Sequence, residues 1–220
     1  MVMDGQTNIE KNRRGTGVVL VLSAIASVAL LASHPERSAH DFAGMLREET
    51  ASRLADAIVH GGFIAVLAIQ LVCYAALSVQ LGATRVAVMA GFILFAIGTA
   101  ALMGSLLIDG LIIPDLAARN VGLAVEKQNL VRGAFAFAGA AIKVLMPMGL
   151  LLQGSGIVAW GVSLVKSAGA TAIAGSVLGA AIVAAPVISI ATANPMILML
   201  AIPGTALWAA IAGLWLMRRA

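Results

Sequence analysis

The sequence predicts an all-α, polytopic integral membrane protein: six transmembrane helices with a small extracytoplasmic helical cap. Three observations point there. Apolar residues make up 61% of the 220 and charged residues only 11%, against roughly 25% charge in a soluble domain. The mean hydropathy is +1.01. The apolar residues also fall in long runs, and a span needs about 20 of them to cross a hydrocarbon core of about 30 Å. With short connections the chain has room for six spans and for no soluble domain beside them.

Residues 1–15 are polar and carry Lys11, Arg13 and Arg14 ahead of the first apolar run, 16–33. Leu30 and Leu31 stand where a signal-peptidase site needs a small residue, and Gly15, Thr16 and Gly17 follow the paired arginines in place of the hydrophobic residues of a twin-arginine signal. The run is therefore expected to stay as a first span. Next comes a polar island, from His34 to His60, that holds all three histidines and half of the acid. Within it Ser38, with Asp41 three residues on, reads as the cap of a short interfacial helix, and Gly44 keeps that helix short. Span two covers 57–81 and span three 86–109, after which Pro114 is expected to break the helix. The segment 115–132 is polar.

The fourth span needs a choice of register. Gly133 to Val165 is a largely apolar run of 33 residues with Lys143 as its one charge; it would make roughly 50 Å of helix, too much for one crossing. Starting the span at Arg132 buries Lys143 near mid-membrane without an acid, at a cost of about 3 kcal/mol. Placing it at 144–165 puts Lys143 and Lys166 at the two interfaces, where long side chains snorkel. The second register is adopted, with 132–142 as an extension above the membrane. Span five is 170–191 and span six 196–217, closed by Arg218 and Arg219. Residues 1–220 then form a single membrane domain, with the cap drawn from 34–56 and 110–143. Gly175 and Gly179, four apart, are expected to let helices within the chain approach closely.

Orientation follows from charge. With the N-terminus cytoplasmic, seven basic residues lie on each side of the membrane, so the count alone is tied. The cluster beside the first span and the purely basic character of the inner loops break the tie, since the outer bases are mixed with eight acids. Both termini are placed in the cytoplasm of a cell inner membrane. A pI of about 9.8 would suggest nucleic acid for a soluble chain, but here the bases sit at span ends and no nucleic-acid partner is expected. The partners expected are the lipid bilayer, a small ligand or ion, and partner membrane subunits. Cys73 is the sole cysteine, so no intrachain disulfide can form.

Chemistry is expected at the outer interface, where several span ends meet. His34 closes span one, Asp56 and His60 open span two, Asp109 closes span three and Lys143 opens span four. Asp56 and His60, four apart, share a helix face, and a carboxylate there would orient the imidazole. The polar cap segment adds Asp115, Asn129 and Arg132, which completes the expected ligand-binding set of His34, Asp56, His60, Asp109, Asp115, Asn129, Arg132 and Lys143. His34, His40, Asp41, Asp56 and His60 could together offer metal donors, but His-x5-His is not an established ligand spacing and no dedicated metal site is assigned. The H-P…H-D order resembles the opening of the hydrogenase-accessory nickel permeases over about eight residues. The second H-P and the G-x-D-H element of that family are absent, so no family is assigned.

No cofactor can be named from the sequence. Only His60 lies near membrane depth, which excludes a bis-histidine haem. G-x-S-x-G, phosphate-loop, H-E-x-x-H and C-x-x-C patterns are absent. The reading is therefore a binding or transport protein for a small ligand, ion or proton. The alternatives are an accessory subunit of a larger membrane complex and, third, an enzyme with His60 as general base.

Overall fold

The computed structural model describes residues 2–124 and 127–219, with the side chains of residues 2–9, 166, 167 and 195 outside that description. Two points of the sequence reading, the interfacial position of Lys166 and the acid Glu126, therefore lie outside the described residues. The chain is 90% helix with no strand among the described residues. Its helices are α1 (Val2–Ala32), α2 (Phe42–Gly82), α3 (Val86–Leu107), α4 (Ile113–Asn120), α5 (Gln128–Ala168), α6 (Ala170–Thr192), α7 (Pro195–Met199) and α8 (Ala201–Arg218). A π-helical turn, Ile108–Ile112, joins α3 to α4. Six of these helical stretches are long and apolar enough to cross a membrane.

The six long helices close into a ring in the order α1, α2, α3, α5, α6, α8 and back to α1. Small residues set the spacing. A methyl added to Gly98 on α3 would lie 2.6 Å from the Gly149 carbonyl oxygen of α5, and one on Gly17 of α1 would lie 2.5 Å from that of Gly213 on α8. Backbones this close are a membrane-type packing solution, since lipid supplies no hydrophobic drive between helices. Tyr74, Phe95 and Trp160 interlock at the α2–α3–α5 junction, with Trp160 stacked on Tyr74 at 4.9 Å. The indole of Trp160 donates to Ser78 Oγ at 3.1 Å. Large apolar side chains such as Leu22, Val72, Ile173 and Ile190 face outward, as a chain surrounded by lipid requires.

A second, smaller core sits at the His60 end. Leu46 of α2, Ala117 of α4 and Val131 of α5 form it, with Phe42 and Phe135 packed against them. It brings α4 and the extended first turns of α2 and α5 into one helical layer.

Three local expectations are corrected. The short helix after Ser38 is not separate: Asp41, rather than Ser38, caps α2 by accepting from the Gly44 N–H, and Phe42–Gly82 then runs unbroken for 41 residues. The Ser38 hydroxyl and N–H instead donate to Glu48, which competes with any capping role. Pro114 does not break the helix: α3, the π turn and α4 follow one another without a gap from Val86 to Asn120, and Pro114 sits in the first turn of α4, directly after the π turn. The sixth stretch, Met196–Arg218, agrees with the expected 196–217; it turns at Leu200 between α7 and α8, and Asn194 caps α7 by accepting from the Met196 N–H.

Candidate functional site

Glu49, Asp56 and His60 follow one another on α2 at steps of seven and four residues, so they line one face of the helix. All three are nearly inaccessible, at 2%, 0% and 2% exposure. The face they line meets the π-helical turn, where Gly110 has no side chain and its backbone lies flat against the His60 ring. A Cβ at that position would overlap His60 Cγ and Cβ. A π turn carries one residue more than an α turn, and such turns often re-aim a side chain at a functional site. Here it carries Asp109.

The hydrogen-bond geometry fixes where protons must be. His60 Nδ1 lies 2.9 Å from the Asp56 carbonyl oxygen, and a carbonyl only accepts, so Nδ1 carries a hydrogen. His60 Nε2 lies 3.2 Å from Asp109 Oδ2. Neither an imidazole lone pair nor a carboxylate can donate, so that contact also holds a proton, on the nitrogen or on the oxygen.

Arg37 reaches in from the segment between α1 and α2. Its guanidinium lies 3.0 Å from Glu49 Oε1, 3.4 Å from Asp56 Oδ1 and 3.7 Å from Asp109 Oδ1. The Arg37 side chain is 31% exposed, so it closes the site on the solvent side. Ser52 donates to Asp56 Oδ2 at 2.6 Å, while Asp56 Oδ1 and Glu49 Oε2 are buried and accept no hydrogen bond. The His34 ring stands edge-on to His60 at 5.1 Å, with its Nδ1 3.0 Å from the Pro35 carbonyl.

Three carboxylates face one guanidinium and one proton-bearing imidazole, which leaves the site one negative charge in excess. The early turns of α2, residues 42–56, carry Arg47, Glu48, Glu49, Arg53 and Asp56, too many charges for a hydrocarbon layer. Outside the spans, burial is the largest influence on Glu49 and raises its carboxyl to about 7, against the opposing attraction of Arg37. Its neighbour Glu48 is held below the usual carboxylate range by hydrogen bonds from Ser38 and Ala39.

Of the expected set, His34, Asp56, His60 and Asp109 come together in this cluster. Asp115, Asn129, Arg132 and Lys143 do not make a hydrogen bond or ion pair with it. Asp115 pairs with Arg53 at 2.6 Å and Arg119 at 2.7 Å on the surface, Arg132 lies over the Phe42 ring at 4.9 Å, and Asn129 and Lys143 are exposed. His34, Asp56 and His60 each offer a donor atom within 4.8 Å of the other two. His40 is exposed and Asp41 is spent as a cap, so the five metal donors considered from the sequence reduce to these three.

Arg37, Glu49 and Ser52 were missed by the sequence reading. The signal for Glu49 was its seven-residue spacing from Asp56. Arg37 left none, because its approach depends on the path of the 33–41 segment. No family model, curated protein or solved structure matches the chain.

Proposed function

We propose that the chain is a multi-pass inner-membrane protein whose His60–Asp109 site takes up and releases protons, alone or in exchange for a small ligand or ion, at the extracytoplasmic face. In this reading residues 1–220 are one membrane domain in contact with the lipid bilayer, with both termini cytoplasmic and the layer built from 34–56 and 110–143 as an outer cap.

The observation that carries the proposal is the proton required between His60 Nε2 and Asp109 Oδ2 at 3.2 Å, in a site with a net negative charge. Buried excess charge is costly, and a proton on Glu49 would bring the count to zero. Arg37, about a third exposed, is the side chain that stands between the site and solvent.

A route inward is also supported. Inside the ring, a cavity of about 60 Å³ is lined by Ser27, Gln70, Gln153 and Thr205 among apolar residues. Gln70 is ten residues along α2 from His60, about 15 Å deeper. Its amide donates to Ser23 Oγ at 3.2 Å and that of Gln153 donates to Thr99 Oγ1 at 2.9 Å, which leaves both carbonyl oxygens as acceptors for water.

The test is proton flux into vesicles containing the purified chain and a trapped pH dye after an imposed pH step. Flux should exceed that of empty vesicles and fall at least tenfold, about 1.4 kcal/mol of barrier, in His60→Gln and Asp109→Asn. Flux equal to that of empty vesicles in the wild-type chain, with no added small ion raising it, would refute the proposal.

One observation favours a second reading, an accessory subunit of a larger complex. Leu130 and Phe137, on the extended start of α5, are 86% and 78% exposed, which leaves an apolar strip that a partner membrane subunit would cover.

A further inference from the structure

At the opposite end of the ring from His60, some 20 residues and so about 30 Å along α2, the helix ends build a different kind of site. A cavity of about 170 Å³ is lined by Arg13 of α1, Gln80 of α2, Arg85 at the start of α3, and Trp215 and Arg219 at the end of α8, with no carboxylate among its described lining residues. The Gly17–Gly213 contact, one turn from Arg13 and half a turn from Trp215, brings α1 and α8 together there.

Each cation is oriented differently. Arg85 donates to the Leu81 carbonyl at 3.3 Å and to the Ser163 carbonyl of α5 at 3.1 Å, so its position is fixed by backbone. Arg219 lies over the Trp215 ring at 5.3 Å. Arg13 is half-buried and has no ion-pair partner among the described residues. The indole N–H of Trp215 is buried and the Gln80 Oε1 is buried, and neither has a hydrogen-bond partner among the described residues. An unpaired buried donor costs about 1–3 kcal/mol, and Trp215 lines a cavity ringed by guanidinium groups.

The cavity continues into a groove of about 770 Å³ between α1 and α2, which shares Arg13 and Gln80, adds Lys11, and has Ala76 and Val79 as an apolar wall. Val79 is 69% exposed. Positive charge at a helix-end cavity that opens along an apolar wall matches one ligand chemistry, an anionic headgroup with a hydrocarbon tail.

We propose that this end of the ring binds one anionic phospholipid. Its phosphate would sit among Arg13, Arg85 and Arg219 and accept from the Trp215 indole. A headgroup hydroxyl would donate to Gln80 Oε1, and an acyl chain would run along Ala76 and Val79. Guanidinium forks suit phosphate oxygens better than ammonium groups do. The site is independent of the His60 cluster.

Native mass spectrometry of the full chain in detergent tests the assignment, with thermal unfolding followed by tryptophan fluorescence as a second readout. The probes are phosphatidylglycerol, phosphatidylcholine and inorganic phosphate. A single phosphatidylglycerol adduct is expected, with a raised Tm, while phosphatidylcholine is retained at least tenfold less. Arg13→Gln, which breaks no hydrogen bond or ion pair among the described residues, should weaken the adduct about tenfold. Trp215→Phe, which keeps the ring and removes the donor, should weaken it several-fold. Arg47→Gln, at the far end, should leave it unchanged. Equal retention of the two lipids, unchanged binding by both Arg13→Gln and Trp215→Phe, or equal stabilisation by inorganic phosphate alone would overturn the lipid assignment.

Discussion

Replacing Gly110 with alanine tests the packing that places Asp109 beside His60. The added methyl would occupy the space of His60 Cγ and Cβ. Because Cβ is fixed to the α2 backbone, a rotamer change cannot relieve the overlap: α2 and the π turn must move apart, and the imidazole is drawn away from Asp109. Its hydrogen bond to the Asp109 carboxylate is worth about 1.5–3 kcal/mol, and overpacking costs a further 1–3 kcal/mol or so. Alanine's helix propensity returns about 0.5–1 kcal/mol, so the net loss is about 2–5 kcal/mol. For a chain of this size that corresponds to a fall in Tm of roughly 5–15 °C. Gly61→Ala, next to His60 but with nothing within 4 Å of its added methyl, should be neutral or slightly stabilising. Tryptophan-fluorescence melting in detergent reads both variants. A double-mutant cycle makes the test specific: in a His60→Gly background both the ring and the Cβ that the new methyl would meet are gone, and Gly110→Ala should cost far less. If Gly110→Ala costs the same in both backgrounds, or no more than Gly61→Ala, the close approach of the π turn to His60 is wrong.

Glu49 gives a pH signature. Its folded-state carboxyl is raised from 4.5 to about 7, so between those values the folded chain binds more protons than the unfolded one, and stability should fall as pH rises through that window. Glu49→Gln should flatten the Tm profile there, and a wild-type profile that rises across the window would contradict the assignment. Arg37→Gln removes the cation facing three carboxylates. With Arg37 partly in solvent, the loss should be about 2 kcal/mol, less than for a fully buried pair, and smaller at pH 5 than at pH 8 because Glu49 can then take a proton. For orientation, Glu48→Cys and Arg85→Cys in a chain whose buried Cys73 is replaced by alanine should react with an impermeant thiol reagent from opposite sides of intact cells; reaction of both from the same side would reject the proposed topology.

Composition and run length determined that this chain is helical with six stretches long and apolar enough to cross a membrane, because the need to satisfy every backbone group in an apolar solvent leaves a hydrophobic run of about 20 residues few alternatives to a helix. The short Gly82–Arg85 link likewise settled that α2 and α3 are neighbours, which put the end of one beside the start of the other. Local signals were less decisive. Ser38 and Gly44 looked like a separate short helix because capping rules weigh a few residues, while the packing of Leu46 on Ala117 and Val131 supports an unbroken α2. The site was legible where one helix carries it, as with Asp56 and His60 at i and i+4. It was not legible where separate segments converge. Arg37 enters along an irregular loop, Gly110 makes room by lacking a side chain, and Asp109 is aimed by a π turn. Lys143 remains outside the cluster although its sequence position suggested a span end, because the face it occupies on α5 depends on how that helix packs. Sequence periodicity specifies which residues share a helix face; which faces meet is decided by close backbone contact between helices, and that contact exists only in the folded ring.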